Sequence, residues 1–383
     1  MDNFIFQNPT RLLFGKGMIA RIAKEIPQDK TIMLTFGGGS VKRNGVYNQV
    51  SKALQNHHTL EFWGIESNPD IDTLSQAIQK GKEEKVDYLL AVGGGSVLDG
   101  TKLIAAGLCY DGDAWDLVCR PPLITKAIPL STVLTIPATG SEMNSGGVIS
   151  SRQRKEKRSF ASPYTFPVFS VLDPETTYSL PKHHLACGLV DTFVHVMEQY
   201  MTTPNQSRVM DRWAEGVLHT VIEIAPQIMK DQTNYNLMAD FMFSATMGLN
   251  GFLGMGVTED WATHMIGHEL TALKGLTHGH SLAIVFPGTL RVLKEQKGAK
   301  IIQYAERIWG ISEKDPEKKI HQAIEQTEQF FRSLGLTTRL SEEGIGEDTI
   351  QEIENRFHQA NVAFGESGNV TGAVAKQILK SVM

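Results

Sequence analysis

Two copies of the pentapeptide GGGSV constrain the fold of this chain more than any other feature. The first copy, Gly37–Val41, follows the apolar segment TIMLTF, and the second, Gly93–Val97, follows YLLAV. Apolar segments this short are typical of strands that are buried on both faces of a sheet. Each copy opens a segment with helical character, so the two copies predict equivalent strand-to-helix turns in one sheet.

The neighbouring sequence continues this alternation of strands and helices. Apolar strands are predicted at Thr31–Phe36, Leu60–Ile65, Tyr88–Val92 and Val133–Ile136, and an amphipathic helix is predicted at Ile71–Lys85. Strands that alternate with helices form a mostly parallel sheet with helices on both faces. The first half of the chain is therefore predicted to be a Rossmann-like α/β domain.

Helical periodicity dominates the chain after Pro181, where the strand pattern ends. Prolines at positions 174 and 181 mark a natural boundary. We predict an α/β dinucleotide-binding domain at residues 1–180 and an all-α domain at residues 181–383, with the active site in the cleft between them. The predicted helices of the second domain include Gln206–Lys230, Tyr235–Gly251, Lys300–Trp309, Glu317–Leu334, Ile350–Ala360 and Val370–Met383.

Composition excludes several classes of protein. The formal charge of −5 argues against a general nucleic-acid binder, which would usually be basic. The three cysteines are few and form no CxxC pair, which indicates a reducing compartment and excludes a zinc site built from cysteine. No segment has the length and apolar character of a membrane span or a secretory leader. The chain is therefore predicted to be cytoplasmic and soluble.

The two glycine turns are candidate phosphate-binding sites. A glycine-rich turn between a strand and a helix lets phosphate oxygens approach backbone N–H groups at the positive end of the helix. Neither copy is GxGxxG, and each could instead be a tight turn that needs positive φ angles. Two copies in equivalent positions favour a ligand long enough to touch both, such as a dinucleotide. A third small-residue turn, Ala138–Glu142, is predicted to form a wall of the same crevice.

The first glycine turn also favours NADP over NAD. Gly37, Gly38 and Gly39 stand where an acidic residue could bind the ribose 2′-hydroxyl, and the residues that follow include Lys42 and Arg43. Cationic residues at this place suit the 2′-phosphate of NADP.

The segment Val257–His280 carries four of the twelve histidines of the chain. His264 and His268 are four residues apart in a helical segment, so both imidazoles project from one face. His278 and His280 follow the predicted end of that helix. The spacing alone does not decide which of the four would bind a metal ion.

Asp191 and His195 form a second pair with a spacing of four residues, in a strongly apolar helix. An isolated buried carboxylate is costly to desolvate, so Asp191 requires a partner. A carboxylate and imidazoles from two helices would suit a divalent metal ion. The alternative is a core histidine that is hydrogen-bonded to its neighbouring aspartate.

Several motifs together resemble the iron-containing (group III) alcohol dehydrogenases. They are GGGSVLDGTK at Gly93–Lys102, ATGSEMN at Ala138–Asn144, the Asp191/His195 pair, and HMIGHELTALKGLTHGHSLAIVFP at His264–Pro287. The resemblance extends nearly from end to end. Within the family the chain is most similar to the NADPH-dependent butanol dehydrogenases and broad-range aldehyde reductases.

The resemblance implies a set of site residues. It places a divalent ion, Fe²⁺ or Zn²⁺, on Asp191, His195, His264 and His278, and a catalytic, proton-handling role near the nicotinamide on His268. In relatives that prefer NAD, an aspartate stands at the position of Gly39, so its absence supports NADPH. The residues that the resemblance implies for cofactor binding are Gly37, Gly38, Gly39, Ser40, Asn68, Gly94, Gly95, Ser96, Asp99, Thr135, Thr139, Ser141, Lys157 and Tyr178.

The expected reaction is reversible hydride transfer between NADPH and a short- to medium-chain aldehyde such as butanal. The alternatives on the same architecture are a dehydroquinate synthase-like lyase and a glycerol dehydrogenase-like polyol oxidation, and the non-enzymatic alternative is a metal or nucleotide sensor. A homodimer is expected because family members are often dimers. Apolar residues border the histidine segment and favour an apolar substrate pocket; they are Leu249, Phe252, Leu253, Met255 and Trp261.

Overall fold

The computed structural model describes all 383 residues, which form two compact units. The sheet unit comprises residues 7–180 and 232–250, and the helical unit comprises residues 1–6, 181–231 and 251–383. The eight strands all lie in the sheet unit: β1 (Arg11–Phe14), β2 (Thr31–Phe36), β3 (His58–Phe62), β4 (Tyr88–Gly94), β5 (Leu130–Ile136), β6 (Gly146–Ser151), β7 (Glu156–Ala161) and β8 (Phe169–Leu172).

Fifteen α-helices complete the structure. The sheet unit contains α1 (Ile22–Glu25), α2 (Ser40–Arg43), α3 (Val46–Ala53), α4 (Ile71–Glu83), α5 (Gly95–Gly107), α6 (Ala114–Cys119) and α9 (Tyr235–Gly248). The helical unit contains α7 (Lys182–Tyr200), α8 (Arg208–Lys230), α10 (Ala262–Lys274), α11 (His278–Val292), α12 (Lys294–Arg307), α13 (Pro316–Ser333), α14 (Glu347–Gln359) and α15 (Gly372–Lys380).

The main sheet has six parallel strands in the order β1-β8-β5-β4-β2-β3, and β6 and β7 form a separate antiparallel hairpin. The chain passes from β2 outward to β3 and then returns to place β4 on the other side of β2. The strand order therefore reverses between β2 and β4. In open α/β sheets, ligands bind outside the carboxyl ends of the strands at such a reversal. Both GGGSV turns lie there, one after β2 and one within the end of β4.

Both faces of this sheet are covered, which explains the continuous apolar runs in its central strands. Ile32, Leu34 and Leu90 pack into the core on one face, whereas Met33 and Leu89 pack into the core on the other. Alternate residues of one strand thus enter two different cores. The predicted parallel sheet with helices on both faces is confirmed.

Several strands differ from the sequence prediction: β5 begins three residues earlier than predicted, β4 ends two residues later, and β6 and β7 were not predicted as strands. Strands β1 and β8 are only four residues long and were not predicted, because a four-residue segment shows too little of any periodic pattern. Strand β3 begins at His58 and ends at Phe62, two to three residues before the predicted segment Leu60–Ile65. It is an edge strand with no buried residue, so its sequence lacks the apolar run that marks β2 and β4.

Residues 232–250 belong to the sheet unit, although the predicted domain limits assigned them to the helical domain. Helix α9 packs there through Phe243, whose ring meets the edge of the Phe14 ring at a centroid distance of 6.0 Å. The hydroxyl of Thr246 donates a hydrogen bond to the buried carboxylate of Glu142. A helical pattern identifies the helix but carries no signal for the unit against which the helix packs.

The helical unit is built around α7, which packs against α8 and α11. Every residue from Leu185 to Tyr200 is buried, so this helix has no solvent face over that span. Polar side chains within this span must find partners inside the protein. No helix in the structure is both long enough and apolar enough to cross a membrane.

A buried lysine joins several segments of the helical unit. The Lys297 side chain is 2% exposed, and its Nζ atom donates hydrogen bonds to the Met201 carbonyl at 2.8 Å and to Asp260 and Glu366 at 2.9 Å each. The other Asp260 oxygen accepts the N–H of Ala262, the first residue of α10, at 2.9 Å. The cluster therefore fixes the point at which α10 begins.

Replacing this lysine should destabilise the helical unit. The change Lys297→Met leaves the buried carboxylate of Asp260 and the partly buried carboxylate of Glu366 without their cation, and breaking a buried ion pair in this way costs about 3–5 kcal/mol. We expect the melting temperature to fall by roughly 10 °C in circular dichroism. The matched control is Lys294→Met on the same helix, since Lys294 pairs with Glu317 at the surface. Equal losses in both variants would contradict the assigned role of the cluster.

Candidate metal centre and cofactor-binding edge

Three helices bring a carboxylate and three imidazoles together. Asp191 and His195 lie one turn apart on α7, and His264 lies in the first turn of α10. Gly275 ends α10 with a φ angle of 72°, a left-handed conformation that glycine adopts without steric cost, and His278 is the first residue of α11. Both α10 and α7 pack against α11, so the histidine segment folds back onto the Asp191/His195 pair.

The Nε2 atoms of the three histidines converge on a single oxygen, Oδ1 of Asp191. The distances are 3.5 Å from His195, 3.7 Å from His264 and 3.7 Å from His278. Nitrogen and oxygen ligands that lie about 2.1 Å from a tetrahedral metal ion are about 3.4 Å from one another. Each of the three nitrogens therefore lies at about ligand spacing from Asp191, and the ligand atoms of Asp191, His195 and His264 all lie within 4.8 Å of one another, as a shared divalent ion requires.

The burial of these side chains is uneven. Asp191, His195 and His264 are buried, whereas the side chain of His278 is 21% exposed. The side chains from α7 and α10 are thus shielded from solvent, whereas part of the His278 side chain is accessible. A site of this kind can hold an ion firmly and still admit a small ligand.

Glu198 holds His264 in its orientation, and the sequence analysis missed it. One carboxylate oxygen of Glu198 is hydrogen-bonded to Nδ1 of His264, and the other accepts the backbone N–H of Thr263 at 2.7 Å. A carboxylate on the far nitrogen fixes the tautomer of a metal-binding imidazole. The available signal was spacing, since Glu198 lies seven residues after Asp191 and three after His195, on the same face of α7.

The electrostatics of this cluster favour positive charge. Burial by itself lowers the pKa of His264, but the carboxylates of Glu198 and Asp191 outweigh this effect and raise the pKa to about 9. A proton or a metal ion at His264 therefore offsets the charge of the two buried carboxylates. The donor set and its electrostatics both fit a divalent cation.

The two remaining histidines of the segment have different surroundings. The ring of His268 is buried, perpendicular to that of His264 at a centroid distance of 6.4 Å, and 5.1 Å from that of His278. His280 instead uses Nε2 for a hydrogen bond of 2.6 Å with Thr337. The structure thus places His268 beside the cluster and His280 in a separate polar contact.

The two GGGSV turns differ in conformation although their sequences are identical. In the first copy Gly39 has a φ angle of 91°, as the tight-turn interpretation expects. In the second copy no glycine has a positive φ angle, so that interpretation is wrong for this turn. Side chains are excluded there by contact, because a Cβ atom on Gly94 would lie 2.9 Å from Ile136, and one on Gly95 would lie 2.6 Å from Thr139.

Three of the residues implied for cofactor binding form a chain of hydrogen bonds beside the second turn. Nζ of Lys157 donates to the side-chain oxygen of Asn68 at 3.0 Å, and the backbone N–H of Asn68 donates to the Ser96 hydroxyl at 3.3 Å. Lys157 belongs to the β6–β7 hairpin, and Ser96 lies in the first turn of α5. The structure therefore brings a cation to the N-terminus of α5.

Asp99 and Ser141 make their hydrogen bonds within the protein. The Ser141 hydroxyl donates to one oxygen of Asp99 at 2.6 Å, and the backbone N–H of Val148 donates to the other at 2.9 Å. These bonds tie the Ala138–Glu142 turn and the hairpin to α5. Thr135 is buried on β5, and Tyr178 lies after β8, where its backbone carbonyl accepts a hydrogen bond from Gln232 at 2.7 Å.

Models of one protein family match both halves of the chain. The model of the iron-containing alcohol dehydrogenases matches residues 9–174, and the model of the C-terminal part of the Fe-containing alcohol dehydrogenase family matches residues 185–383. The chain is 46% identical to the NADPH-dependent aldehyde reductase YqhD of Escherichia coli, with complete coverage of both chains. It is 41% identical to a probable NADH-dependent butanol dehydrogenase of Bacillus subtilis, again over both full lengths.

Solved structures of related enzymes match the fold of this chain. The crystal structure of Escherichia coli YqhD matches with a TM-score of 0.98 and covers 100% of this chain and 99% of its own. An NADH-dependent butanol dehydrogenase from Thermotoga maritima, 34% identical, matches with a TM-score of 0.95 and covers 100% of this chain and 99% of its own. The matches in sequence and in fold extend over both units, and the chain belongs to the iron-containing alcohol dehydrogenase family.

Proposed function

We propose that this protein is a metal-dependent, NADPH-linked aldehyde reductase that interconverts short- to medium-chain aldehydes and their primary alcohols. The observation that carries the proposal is the convergence of His195, His264 and His278 on Asp191 within a helical unit of the alcohol dehydrogenase family. Such a donor set suits a divalent ion. The chemistry that a bound Fe²⁺ or Zn²⁺ ion supplies is Lewis acidity toward a carbonyl or alkoxide oxygen.

The protein groups around the cluster have separate tasks in this proposal. Glu198 keeps Nε2 of His264 directed toward Asp191 by holding the opposite nitrogen. The indole ring of Trp261 lies 5.3 Å from the His264 ring and 6.2 Å from the His195 ring, and it excludes water from that side. The Trp261 indole N–H donates to Glu259 at 2.9 Å, which holds the ring in place.

His268 is the candidate proton donor for the alkoxide that forms when hydride reaches the carbonyl carbon. Its imidazole is buried next to His278, on the accessible side of the cluster. An imidazole can exchange protons near neutral pH, which suits a group that acts in both directions of a reversible reaction.

The cofactor preference is proposed from the first glycine turn, because the names of the relatives include both NADPH-dependent and NADH-dependent enzymes. The turn ends without an acidic residue at Gly39 and continues into Lys42 and Arg43. A carboxylate there would repel a 2′-phosphate, whereas cations attract it. The pyrophosphate is proposed to bind at the second turn, where the backbone N–H groups of Gly95 and Ser96 begin α5.

A homodimer is proposed from an exposed apolar patch on the helical unit. Ile5 is 99% exposed and Phe4 is 49% exposed. The neighbouring Phe6 meets Phe252 edge-on at 6.3 Å, and Phe252 stacks on Trp213 at 4.5 Å. Contiguous exposed aromatic and aliphatic side chains of this kind usually mark a protein–protein interface.

A cytoplasmic location is also proposed. Cys109, Cys119 and Cys187 are all free thiols, which suits a reducing compartment. Fractionation of cells that express the tagged protein would test this location, and recovery in a secreted fraction would contradict it.

The first prediction of the proposed function concerns metal binding. The purified protein should bind one divalent ion per chain, and chelation should abolish turnover. His264→Ala should lose the ion, because it removes one of the converging nitrogens. Glu198→Gln should weaken binding by about 10- to 100-fold, because the imidazole loses the carboxylate that orients it. Elemental analysis and competition with a chromogenic chelator measure these effects.

The matched control is His280→Ala, which removes an equally buried histidine of the same segment. This variant should keep the ion, because His280 bonds to Thr337. His268→Ala should also keep the ion and should lose rate by about 10²- to 10⁴-fold, the usual contribution of a positioned acid or base. Full activity in metal-free protein would contradict the assignment.

The second prediction tests the cofactor preference with two variants at Gly39. Aspartate and asparagine have the same shape and tolerate left-handed backbone better than most residues, so the two variants carry similar strain at φ 91°. Only Gly39→Asp adds a charge. At a distance of 4 Å in water that charge repels a phosphate by about 1 kcal/mol or more, which corresponds to about fivefold weaker NADPH binding relative to Gly39→Asn. NADH should bind Gly39→Asp at least as tightly as Gly39→Asn, because the carboxylate can accept the ribose 2′-hydroxyl. An equal loss of NADPH affinity in both variants would contradict the prediction.

The third prediction tests the reaction itself with a panel from ethanal to hexanal. Trp261 gives the cluster an apolar border, and between Trp213 and His264 the sequence carries only one cationic residue, Lys230. Each added methylene should improve kcat/KM by at most about fourfold, since full burial of a methylene contributes about 0.8 kcal/mol. Glyoxylate and a sugar phosphate serve as charged controls. A preference for either over butanal would contradict the proposed substrate class.

The fourth prediction tests the dimer. Light scattering should give twice the chain mass of 42.3 kDa. Ile5→Asp places a charge in the patch and should shift the mass toward that of one chain. The control Val168→Asp changes a residue of the sheet unit that is 48% exposed, and it should leave the mass unchanged. A single-chain mass at all concentrations of the wild-type protein would refute the proposal.

A further inference from the structure

Side chains that can bind a metal ion recur at every fourth position along one face of α7. They are His183, Cys187, Asp191 and His195. Residues four apart lie on the same face of a helix and are separated by about 6 Å along its axis. The proposed ligands Asp191 and His195 are therefore the inner members of a longer row. Exposure falls along the row, because His183 is exposed whereas Cys187 is 4% exposed and Asp191 is 3% exposed.

The two outer members of this row are already in contact. Nε2 of His183 lies 3.6 Å from Sγ of Cys187. A tetrahedral ion that binds an imidazole nitrogen at about 2.1 Å and a thiolate sulfur at about 2.3 Å holds these two atoms about 3.6 Å apart. The pair thus has ligand spacing. One imidazole and one thiol leave the other positions of an ion to water, so the pair suits brief capture and not a structural zinc site.

The sulfur of Cys187 has surroundings that allow an ion to replace its proton. Burial raises the pKa of Cys187 most, the charge of Asp191 raises it further, and the backbone N–H of His280 lowers it, which leaves the pKa at about 12. The sulfur is therefore protonated at neutral pH, and a divalent ion that binds it displaces the proton to solvent. The His280 N–H lies in the first turn of α11, where amide donors stabilise a thiolate.

The pair also lies close to the most exposed ligand of the metal centre. Nε2 of His183 is 3.3 Å from the hydroxyl of Thr277, the residue that precedes the proposed ligand His278. The His278 side chain is 21% exposed, more than those of the other three ligands. Asp191 lies one turn of α7 beyond Cys187. An ion at the pair is therefore one helical turn from Asp191 and next to the ligand that solvent reaches.

We propose that His183 and Cys187 form an entry site, which captures a divalent transition-metal ion and passes it to Asp191 and its three histidines. This inference rests on the proposed function, because it takes that cluster as the metal centre. Thiol and imidazole ligands favour Zn²⁺ and Fe²⁺ over Mg²⁺ and Ca²⁺, so the pair also selects the class of ion that enters. On transfer the ion exchanges the sulfur for the Asp191 carboxylate, and Cys187 regains a proton from solvent.

The first test traps an ion at the entry site, with Co²⁺ as the probe. A cobalt–thiolate bond gives a charge-transfer band in the near ultraviolet, which cobalt held by nitrogen and oxygen lacks. His264→Ala removes a ligand of the final site, so Co²⁺ added to this variant should stay at the pair and give the band. Adding Cys187→Ser should abolish the band, whereas adding Cys119→Ser, which removes an exposed thiol, should not. Absence of the band from His264→Ala protein would overturn the proposal.

The second test measures how fast metal-free wild-type protein takes up Co²⁺ at its final site. His183→Ala and Cys187→Ser should each slow loading by about tenfold, which corresponds to about 1.4 kcal/mol lost from the captured state. Release to a chelator should slow by the same factor, because a residue on the pathway changes both rates and leaves their ratio unchanged. The equilibrium affinity should therefore stay at the wild-type value. A residue that only supports the fold would lower that affinity.

The matched control is His321→Ala, which replaces another exposed histidine of the helical unit and should load at the wild-type rate. Since Cys187 is buried, its replacement also affects packing, so His183→Ala alone must slow both rates. If wild-type protein binds one ion per chain and His183→Ala loads and releases it at wild-type rates, the entry site is wrong while the metal centre stands. If wild-type protein binds no ion at the Asp191 cluster, the metal centre fails and the entry site fails with it.

Discussion

A carboxylate in the middle of a fully buried helix determines much of the helical unit. Asp191 lies on α7, which has no solvent face from Leu185 to Tyr200. Transfer of an ionised carboxylate into such surroundings is prohibitive unless positive or hydrogen-bonding partners meet it. Three imidazoles from α7, α10 and α11 approach one of its oxygens, so the packing of these helices is constrained by electrostatics as well as by apolar contacts.

In the sheet unit, two copies of the same pentapeptide, GGGSV, meet two different physical constraints. In the first GGGSV turn, glycine is required at position 39 by a left-handed backbone. In the second turn, Gly94 and Gly95 are required because the neighbouring side chains leave no room for a Cβ atom. The first turn is consequently open and the second is closely packed. Their shared feature is their place at the reversal of strand order, where a ligand can contact both.

The sequence was most informative where one physical signal dominated. Strand β2 has the predicted limits, Thr31–Phe36, because burial on both faces makes it an uninterrupted apolar run. Strand β8 escaped prediction because four residues show no period. The assignment of residues 232–250 failed because a helix pattern does not encode its packing partner.

Prediction from the sequence was limited in the same way at the candidate site. His264 and His268 are equivalent in spacing, and only the resemblance favoured one of them. The structure separates them by a contact that spacing does not reveal, the carboxylate of Glu198 on Nδ1 of His264. Glu198 itself was missed because a single glutamate in an apolar helix is not diagnostic without its partner.

Glu198 also links metal binding to the stability of the helical unit. The same carboxylate accepts the N–H of Thr263, so it supports the first turn of α10 while it orients His264. An ion that binds only the native state stabilises it by mass action, by about 4 kcal/mol when the free ion is at a thousand times its dissociation constant. Because Glu198 anchors both the first turn of α10 and the His264 imidazole, a bound ion would stabilise the docking of α10. A shortage of metal would then shorten the proteolytic lifetime of this protein as well as lower its turnover.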